Sequence, residues 1–361
     1  MESMVIRQRL LNYYKGKKVF VTGHTGFKGS WLLAFLRELG AEVKGYSLDV
    51  ESPLDLFPLL LPTLTIESIL ADIRDLTKLK NEIVSFKPDF IFHLAAQSLV
   101  RKSYTFPSET FDVNVVGTSN LLEAVKKLDN ECQVVVITTD KVYQNKEQEI
   151  YYSEDDLLGG YDPYSASKAC AEMVVSSFRN SFFNVERYQD HKKSVASARA
   201  GNVIGGGDRS EDRLIPDIVK ALTNNTTISI RNPNSIRPWQ HVLEPLSGYL
   251  LLGTNLKDDP KKFSTAFNFG PMHDDHLSVR QILQKSIDSW GAGEWEDQSG
   301  VLTLHEAGML MLDIEKARTE LGWIPKMTAA EAIEWTIEWY KKPDSDKADF
   351  TYSQIHQFLS L

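Results

Sequence analysis

The N-terminal region contains a pattern that strongly restricts the fold. A short apolar run, Lys18–Thr22, ends in three glycines spaced three residues apart, Gly23, Gly26 and Gly29. Residues 30–36 then carry apolar side chains at helical spacing. Strand, glycine turn and helix in this order form the fingerprint of a dinucleotide-binding unit, in which Gly23 permits the tight turn, Gly26 lets the backbone approach a pyrophosphate, and Gly29 lets the helix pack on the strand. The spacing differs from the usual G-x-G-x-x-G, so a purely structural turn is the alternative.

Nearly continuous apolar runs alternate with helical patterns over the first part of the chain. The runs cover residues 19–22, 43–47, 90–94, 134–138 and 195–200. Strands of this kind are covered on both faces, which indicates a parallel sheet with helices on each side. The sequence therefore predicts an α/β fold with a doubly wound parallel (Rossmann) sheet.

The composition shifts after Gly205-Gly206-Gly207. Helices are predicted over residues 213–224, 277–290, 314–321 and 329–340. We expect residues 1–200 to form a dinucleotide-binding Rossmann domain and residues 201–361 to form mainly a smaller, mostly helical C-terminal substrate domain. The boundary is soft, because later segments could return to the sheet. A ligand is expected in the cleft between the two domains.

Charge and composition argue against several kinds of partner. The net charge of −9 disfavours binding to nucleic acid or to an anionic membrane. No apolar run reaches the length of a bilayer, and the N-terminus lacks the apolar core of a signal peptide, so a cytoplasmic protein is expected. Cys132 and Cys170 are predicted to be buried free thiols, and the eight histidines show no ligand spacing that would indicate a metal site.

Tyr164 and Lys168 form a second informative pattern. On a helix, residues four apart lie on one face, so the Lys168 ammonium could lower the pKa of the Tyr164 phenol and make a phenolate base available near neutral pH. Upstream stand Thr139, Asp140 and Lys141, directly after a predicted strand. The Tyr-x-x-x-Lys spacing also occurs by chance, and the alternative is a surface pair.

Further short motifs occur in order along the chain. They are Ala71-Asp72-Ile73-Arg74-Asp75, His93-Leu94-Ala95-Ala96-Gln97, Asn114-Val115-Val116-Gly117-Thr118, Ala200-Gly201-Asn202, Arg237-Pro238-Trp239, Leu312-Asp313-Ile314-Glu315-Lys316-Ala317 and Leu321-Gly322-Trp323-Ile324-Pro325. Together with the glycine turn and the Tyr/Lys pair, these segments resemble the extended short-chain dehydrogenase/reductase family, whose members mostly act on nucleotide-sugars. The resemblance covers nearly the whole chain.

The resemblance implies roles for five catalytic residues. Thr139 would supply a hydroxyl, Tyr164 the base, and Lys168 the cation that also orients the nicotinamide ribose. The Thr139-Asp140 pair resembles the nucleotide-sugar 4,6-dehydratases, in which an acid and a base are added for elimination of water. Lys141 stands where the enzymes for dTDP-glucose and GDP-mannose typically carry Glu. A Lys at this position resembles the branch of the family that acts on CDP-glucose. Whether Lys141 or Asp140 is the base for carbon 5 stays open, and a surface role for Lys141 is the alternative.

The resemblance also implies a bound NAD. The residues that would line it are Gly23, Thr25, Gly26, Phe27, Lys28, Gly29, Asp72, Ile73, Leu94, Ala95, Ala96, Asn114, Thr138, Tyr164 and Lys168. Ser47 stands where many relatives carry the Asp that binds the adenine ribose, but no Arg or Lys follows to hold a 2′-phosphate, so NAD is favoured over NADP. A helix N-cap is the alternative for Asp75.

Substrate and assembly are implied in the same way. Asn202 and Arg237 match positions that hold the diphosphate, and Gln97 and Ser98 would lie near the hexose. Arg213 and Arg231 could reach the nucleotide or be surface charges. CDP-glucose is the expected substrate, and a homodimer is expected through the Tyr164/Lys168 helix and residues 114–127, with Glu172 as a packing residue. The alternatives are another nucleotide-sugar 4,6-dehydratase, a 4-epimerase, and a non-catalytic NAD-binding regulator.

Overall fold

The computed structural model of the protein describes residues 2–230, 232–299 and 310–361, so Arg231 lies outside the described residues. The strands of the described part are β1 Lys18–Thr22, β2 Glu42–Ser47, β3 Ile66–Leu70, β4 Phe90–His93, β5 Cys132–Ile137, β6 Tyr151–Tyr152, β7 Lys193–Ala200, β8 Val203–Ile204, β9 Ile228–Ile230, β10 Ile236–Arg237, β11 Gln240–His241, β12 Ala266–Phe269, β13 Leu277–Ser278, β14 Trp295–Asp297 and β15 Met311–Leu312.

Helices separate most of these strands. They are α1 Glu2–Tyr14, α2 Phe27–Glu38, α3 Leu56–Leu60, α4 Leu76–Phe86, α5 Val100–Thr105, α6 Pro107–Phe111, α7 Gly117–Val125, α8 Pro163–Ser181, α9 Tyr188–His191, α10 Leu214–Thr223, α11 Leu243–Asp258, α12 Pro260–Phe263, α13 Val279–Trp290, α14 Ala329–Lys341 and α15 Lys347–Phe358. Short 3₁₀ turns cover Leu61–Thr63, Asp140–Val142, Val185–Arg187 and Asp344–Asp346, and π-helical turns cover Asp112–Val116 and Ala317–Leu321.

A seven-stranded parallel sheet forms the centre of the molecule, in the order β12-β7-β5-β4-β1-β2-β3. Every residue of β4, β5 and β7 is buried, as expected for strands covered by helices on both faces. The doubly wound α/β fold predicted from the apolar runs is therefore confirmed. The chain reverses its direction of strand addition at β1, so a crevice lies beyond the carboxyl ends of β1 and β4.

Two strands of the sheet were not predicted. β3 is an edge strand whose residues are half-buried or exposed, so its sequence lacks a continuous apolar run. β12 lies beside β7 at the other edge and comes from a region assigned to the substrate domain. Its burial depends on neighbours distant in sequence, and its four residues carry too weak a pattern to reveal it.

The predicted C-terminal helices are present with small shifts, except that residues 314–321 contain the π-helical turn Ala317–Leu321. α10, α13 and α14 share an apolar cluster that includes Ile218, Ile282 and Ile333. β12, α11 and α15 instead pack into the main core. Because the C-terminal part contributes to both cores, the division at residue 200 stays a prediction.

Both cysteines are free, Cys132 buried in β5 and Cys170 half-buried on α8. None of the described helices combines the length and apolarity that spanning a bilayer requires.

Candidate active site

The glycine turn after β1 is built around close backbone contacts. Gly23 has a φ of +74°, and a Cβ there would lie 2.7 Å from the Ala95 nitrogen. A Cβ on Gly29 would lie 2.0 Å from the Gly23 carbonyl oxygen, so only glycine lets α2 approach the turn. Gly26 is different, because a Cβ there would meet only the Gly23 oxygen, at 3.5 Å. Gly26 is also the N-cap of α2 and provides no side-chain cap, which leaves the first N–H groups of the helix available to an anion.

The other predicted cofactor residues surround this turn. Thr25 Oγ1 lies 2.8 Å from Ser47 Oγ, joining the turn to the end of β2. The Ala95 N–H donates to Thr22 Oγ1 at 3.2 Å. The segment after β4, with Leu94 and Ala96, therefore lies beside the end of β1. The Asn114 amide donates to the Gln97 carbonyl and to Ser167 Oγ, at 3.0 and 2.8 Å, and thereby joins this segment to α8.

The segment after β3 is held by local contacts. The Asp72 carboxylate forms an ion pair with Arg74 at 2.6 Å, and the buried Ile73 packs against Gly117. Asp75 accepts the Lys78 N–H at 3.0 Å as N-cap of α4, which confirms the capping alternative.

Tyr164 and Lys168 are buried, so the surface-pair alternative is wrong. α8 begins after Asp162, which caps the Ser165 N–H at 2.9 Å, and Pro163 occupies its first turn. Tyr164 is 9% exposed and Lys168 3%. The Lys168 ammonium donates to the Ile137 carbonyl at 2.9 Å, at the end of β5.

Burial dominates the electrostatics of this pair. It raises the pKa of Tyr164 to about 12, against the hydrogen bond with Thr139 and the charge of Arg213. It lowers the pKa of Lys168 to about 8, against the carboxylate of Glu172. The predicted phenolate near neutral pH is therefore wrong for the protein without ligands, because desolvation of the phenolate outweighs the Thr139 hydrogen bond and the charge of Arg213.

Thr139, Asp140 and Lys141 form a turn directly after β5. Thr139 Oγ1 donates to Asp140 Oδ1 at 2.8 Å. Burial raises the pKa of the Asp140 carboxyl, opposed by Lys141, by the Thr139 hydrogen bond, and by Arg237 and Lys28. A carboxyl in such a site can hold a proton and deliver it. A Cβ on Gly201 would lie 2.9 Å from Pro238 Cγ and 3.0 Å from Asp140 Oδ2, so the segment after β7 passes close to Asp140.

A cleft of about 600 Å³ brings most of the predicted residues together. Its lining includes Thr138, Thr139, Asp140, Lys141 and Tyr164, and also Lys28, Ser98, Asn202, Arg213 and Arg237. Lys141 and Arg213 both line this cleft, and their roles in catalysis and substrate binding stay predictions. Arg213 is held by Asp208 at 2.9 Å and by Ser98 Oγ at 3.2 Å.

Gln97 is placed differently from the prediction. Its side-chain amide donates to the Leu99 carbonyl at 3.1 Å and to Thr110 Oγ1 at 3.0 Å, and its side-chain oxygen accepts the Leu99 N–H at 2.7 Å. Gln97 thus stabilises the loop after β4, and its contact with a substrate stays a prediction.

Sequence reasoning missed several residues of the cleft, among them Asp208 and Trp239, and misjudged Glu172 behind it. Asp208, which holds Arg213, follows a run of three glycines that could have drawn attention to it. Trp239 lines the cleft, and its buried indole N–H has no hydrogen-bond partner among the described residues. Glu172, predicted as a packing residue, instead forms a buried ion pair with Arg199 at 3.1 Å. The described residues contain no group of three metal-ligating side chains.

Comparison with known proteins identifies the family of the chain. The family model described as GDP-mannose 4,6 dehydratase matches residues 20–336. The chain belongs to this family. CDP-glucose 4,6-dehydratase of Salmonella typhimurium is 51% identical over 334 residues, which is 91% of this chain and 92% of that protein. The membership confirms the predicted resemblance to nucleotide-sugar 4,6-dehydratases.

Solved structures in this fold extend the comparison. MoeE5 in complex with UDP-glucose and NAD is 26% identical, with a TM-score of 0.74, and covers 89% of this chain and 98% of its own. DesIV of Streptomyces venezuelae, a dTDP-glucose 4,6-dehydratase solved with NAD, has a TM-score of 0.74 at 24% identity, covers 90% of this chain and 97% of its own, and supports the fold of this family.

Proposed function

We propose that the protein is a CDP-glucose 4,6-dehydratase, which converts CDP-D-glucose to CDP-4-keto-6-deoxy-D-glucose and water. The observation that carries the proposal is the presence of Asp140 and Lys141 in the same cleft as Thr139 and Tyr164. An acid and a base for elimination thus stand beside the residues for oxidation. The 51% identical relative named for this activity supports CDP-glucose as the substrate.

The residues around the glycine turn fit a dinucleotide. Gly26 leaves room for a pyrophosphate at the uncapped N-terminus of α2, and Gly23 and Gly29 hold the turn in place. Bound NAD supplies the acceptor for the hydride of carbon 4 and its donor for carbon 6. We assign Lys168, one helical turn after Tyr164 on α8, to the nicotinamide ribose.

The chain's own residues then handle the protons. Tyr164 takes the proton of the hydroxyl at carbon 4, with its negative charge stabilised by Thr139 and Lys168. The keto group formed at carbon 4 acidifies the hydrogen at carbon 5, which Lys141 removes as a proton and returns to carbon 5 when hydride reaches carbon 6. Asp140, whose raised pKa favours the protonated carboxyl, gives its proton to the hydroxyl that leaves carbon 6 as water. Asn202 and Arg237 are placed to bind the diphosphate of the substrate.

Two alternatives make different demands on the same residues. A 4-epimerase needs the residues that oxidise carbon 4. It eliminates no water, so it has no use for an acid and a base at Asp140 and Lys141. A non-catalytic regulator needs neither set. The Asp140–Lys141 pair therefore favours a dehydratase.

The test is to supply the purified protein and NAD with CDP-, dTDP-, UDP- and ADP-glucose and with GDP-mannose. Formation of a keto-deoxy sugar is followed by its absorbance in alkali. We expect product chiefly from CDP-glucose. Product from dTDP-glucose alone would correct the substrate, and no product from any of the five would refute the dehydratase assignment.

We propose further that the protein acts as a homodimer in the cytoplasm. Met173 on α8 is 55% exposed and Val116 before α7 is 47% exposed, which places apolar side chains on the surfaces expected to meet. The free thiols of Cys132 and Cys170 suit a reducing compartment. Sedimentation of the purified protein gives the oligomeric state, and a Met173→Glu variant that stayed dimeric would exclude this face.

A further inference from the structure

A buried ion pair lies behind the active site and plays no part in the proton transfers. Arg199 Nε and Nη2 lie 3.1 Å from the two Glu172 carboxylate oxygens, and the side chains are only 5% and 3% exposed. Neither residue lines the cleft. Since desolvation cancels much of the energy of a buried ion pair, stability alone is a weak reason for its presence. Its further hydrogen bonds lead instead to residues 138–143, the catalytic segment, which contains Thr139, Asp140 and Lys141.

Glu172 holds the first end of that segment. It accepts hydrogen bonds from Thr138 Oγ1 at 2.5 Å and from Ser197 Oγ at 2.7 Å. Thr138 stands between Thr139 and Ile137, whose carbonyl accepts the Lys168 ammonium. Because Glu172 lies one helical turn beyond Lys168 on α8, its carboxylate fixes the end of β5 against the helix that carries Tyr164. The Thr139 hydroxyl and the Lys168 ammonium are positioned by this contact.

Arg199 holds the second end. Its Nη1 donates to Tyr143 Oη at 2.9 Å, and Tyr143 Oη donates to Asn268 Oδ1 at 2.7 Å. Tyr143 lies two residues after Lys141, and its ring stacks on Tyr152 with centroids 5.2 Å apart. The turn that presents Asp140 and Lys141 is therefore held at Tyr143 by a charged partner on β7.

We propose that Glu172 and Arg199 are positioning residues that clamp the catalytic segment, residues 138–143, at both ends. Glu172 acts through Thr138 on the oxidation residues, and Arg199 acts through Tyr143 on the elimination pair. The inference rests on the proposed function, since it assigns oxidation of carbon 4 to the Glu172 end and elimination of water to the Arg199 end. Its physical basis is that displacement of a catalytic group by about 1 Å costs up to about a hundredfold in rate.

Tyr143→Phe tests the Arg199 end. The ring and its stacking remain, and only the hydroxyl between Arg199 and Asn268 is lost. In single-turnover kinetics with CDP-glucose we expect oxidation of carbon 4 at the wild-type rate and elimination slowed about tenfold, so that the absorbance of reduced nicotinamide builds up before product appears. We also expect faster amide hydrogen exchange in residues 138–143 of the protein without ligands.

Glu172→Gln tests the other end, and Glu244→Gln is the matched control. We expect Glu172→Gln to slow the oxidation itself about tenfold. Glu244 is also a buried carboxylate bound by two N–H groups, at 2.9 and 2.8 Å, but it lies outside the cleft. Its variant should leave both steps and the exchange of residues 138–143 unchanged. If Glu172→Gln does not fold, Tyr143→Phe decides by itself.

The proposal would be overturned if Tyr143→Phe kept the wild-type rates of both oxidation and elimination, and also the wild-type amide hydrogen exchange in residues 138–143. An equal loss of both steps in that variant, in proportion to its loss of stability, would show a structural role only and would also overturn it. If the wild type made no product from any nucleotide-sugar, the proposed function would fail separately. The exchange measurement would then still decide whether the clamp exists.

Discussion

Tyr164 shows most directly how its surroundings set the chemistry of a residue. A phenol buried in this way cannot ionise near neutral pH by itself, and each donor or cation placed beside it lowers the energy of the phenolate. The Thr139 hydrogen bond and the charge of Arg213 do this in the protein itself, and the positive charge of a bound oxidised nicotinamide would act in the same direction.

We expect Tyr164→Phe to lower turnover by about 10²–10⁴-fold while leaving the binding of NAD and CDP-glucose largely intact. The ring still packs, and only the ionisable oxygen is gone. Isothermal calorimetry measures both affinities and a keto-sugar assay measures turnover. Loss of affinity as large as the loss of rate would mean that Tyr164 is structural.

Lys141 separates the proposed reaction from an epimerase. With Lys141→Met, oxidation of carbon 4 should proceed, because it depends on Thr139, Tyr164 and Lys168, but water should not be eliminated. The absorbance of reduced nicotinamide should persist, and in heavy water neither product nor deuterium at carbon 5 should appear. Keto-deoxy sugar formed at near wild-type rate would leave Asp140 or a bound water as the base.

Among the elements, the turn between β1 and α2 assigns different tasks to similar glycines. Gly29 is required for packing, since its missing Cβ is what lets the first turn of α2 contact Gly23. Gly26 is required only if something approaches the helix N-terminus from outside, because the fold itself leaves space for a Cβ there.

We therefore expect the two alanine variants to differ. Gly29→Ala should lower the free energy of unfolding by at least ~2 kcal/mol because backbone atoms must move apart. Gly26→Ala should change stability by less than ~0.5 kcal/mol but lower the affinity for NAD about tenfold or more. Urea unfolding and calorimetry check the two effects. Wild-type NAD affinity in Gly26→Ala would remove the glycine turn from the cofactor site.

At the scale of the whole molecule, a buried carboxyl links stability to pH. Glu244, on α11, accepts the N–H groups of Lys326 and Met327, and thereby joins the main core to the segment before α14. Burial raises the pKa of this carboxyl from its ordinary 4.5 to about 7, against those two hydrogen bonds. The folded protein therefore binds this proton more tightly than the unfolded chain, and the associated stability is lost as pH rises from about 4.5 through about 7.

Glu244→Gln isolates this effect. Gln keeps an acceptor for both N–H groups but does not titrate, so the stability of the wild type relative to the variant should fall by ~2–3 kcal/mol between about pH 5 and about pH 8. Urea unfolding of both proteins at the two pH values measures it. A difference between the proteins that does not vary with pH would mean that the Glu244 carboxyl is charged in the fold throughout.

The sequence by itself determined those features that depend on residues close together in the chain. The spacing of Gly23, Gly26 and Gly29 predicted the turn, the continuous apolar runs predicted the parallel sheet, and the Tyr-x-x-x-Lys spacing placed two side chains on one face of α8. Local geometry is sufficient for these features, because the period of a helix or strand determines which face of the element each side chain occupies.

Tertiary structure alone decided the rest. The sheet strand β12, the Glu172–Arg199 ion pair across 27 residues and the Arg213–Ser98 contact across 115 residues depend on where distant segments meet. The pKa of Tyr164 is of the same kind, because it is set by how completely the fold removes water from the phenol. Desolvation and long-range pairing are sums over the whole molecule, and no short stretch of sequence contains them.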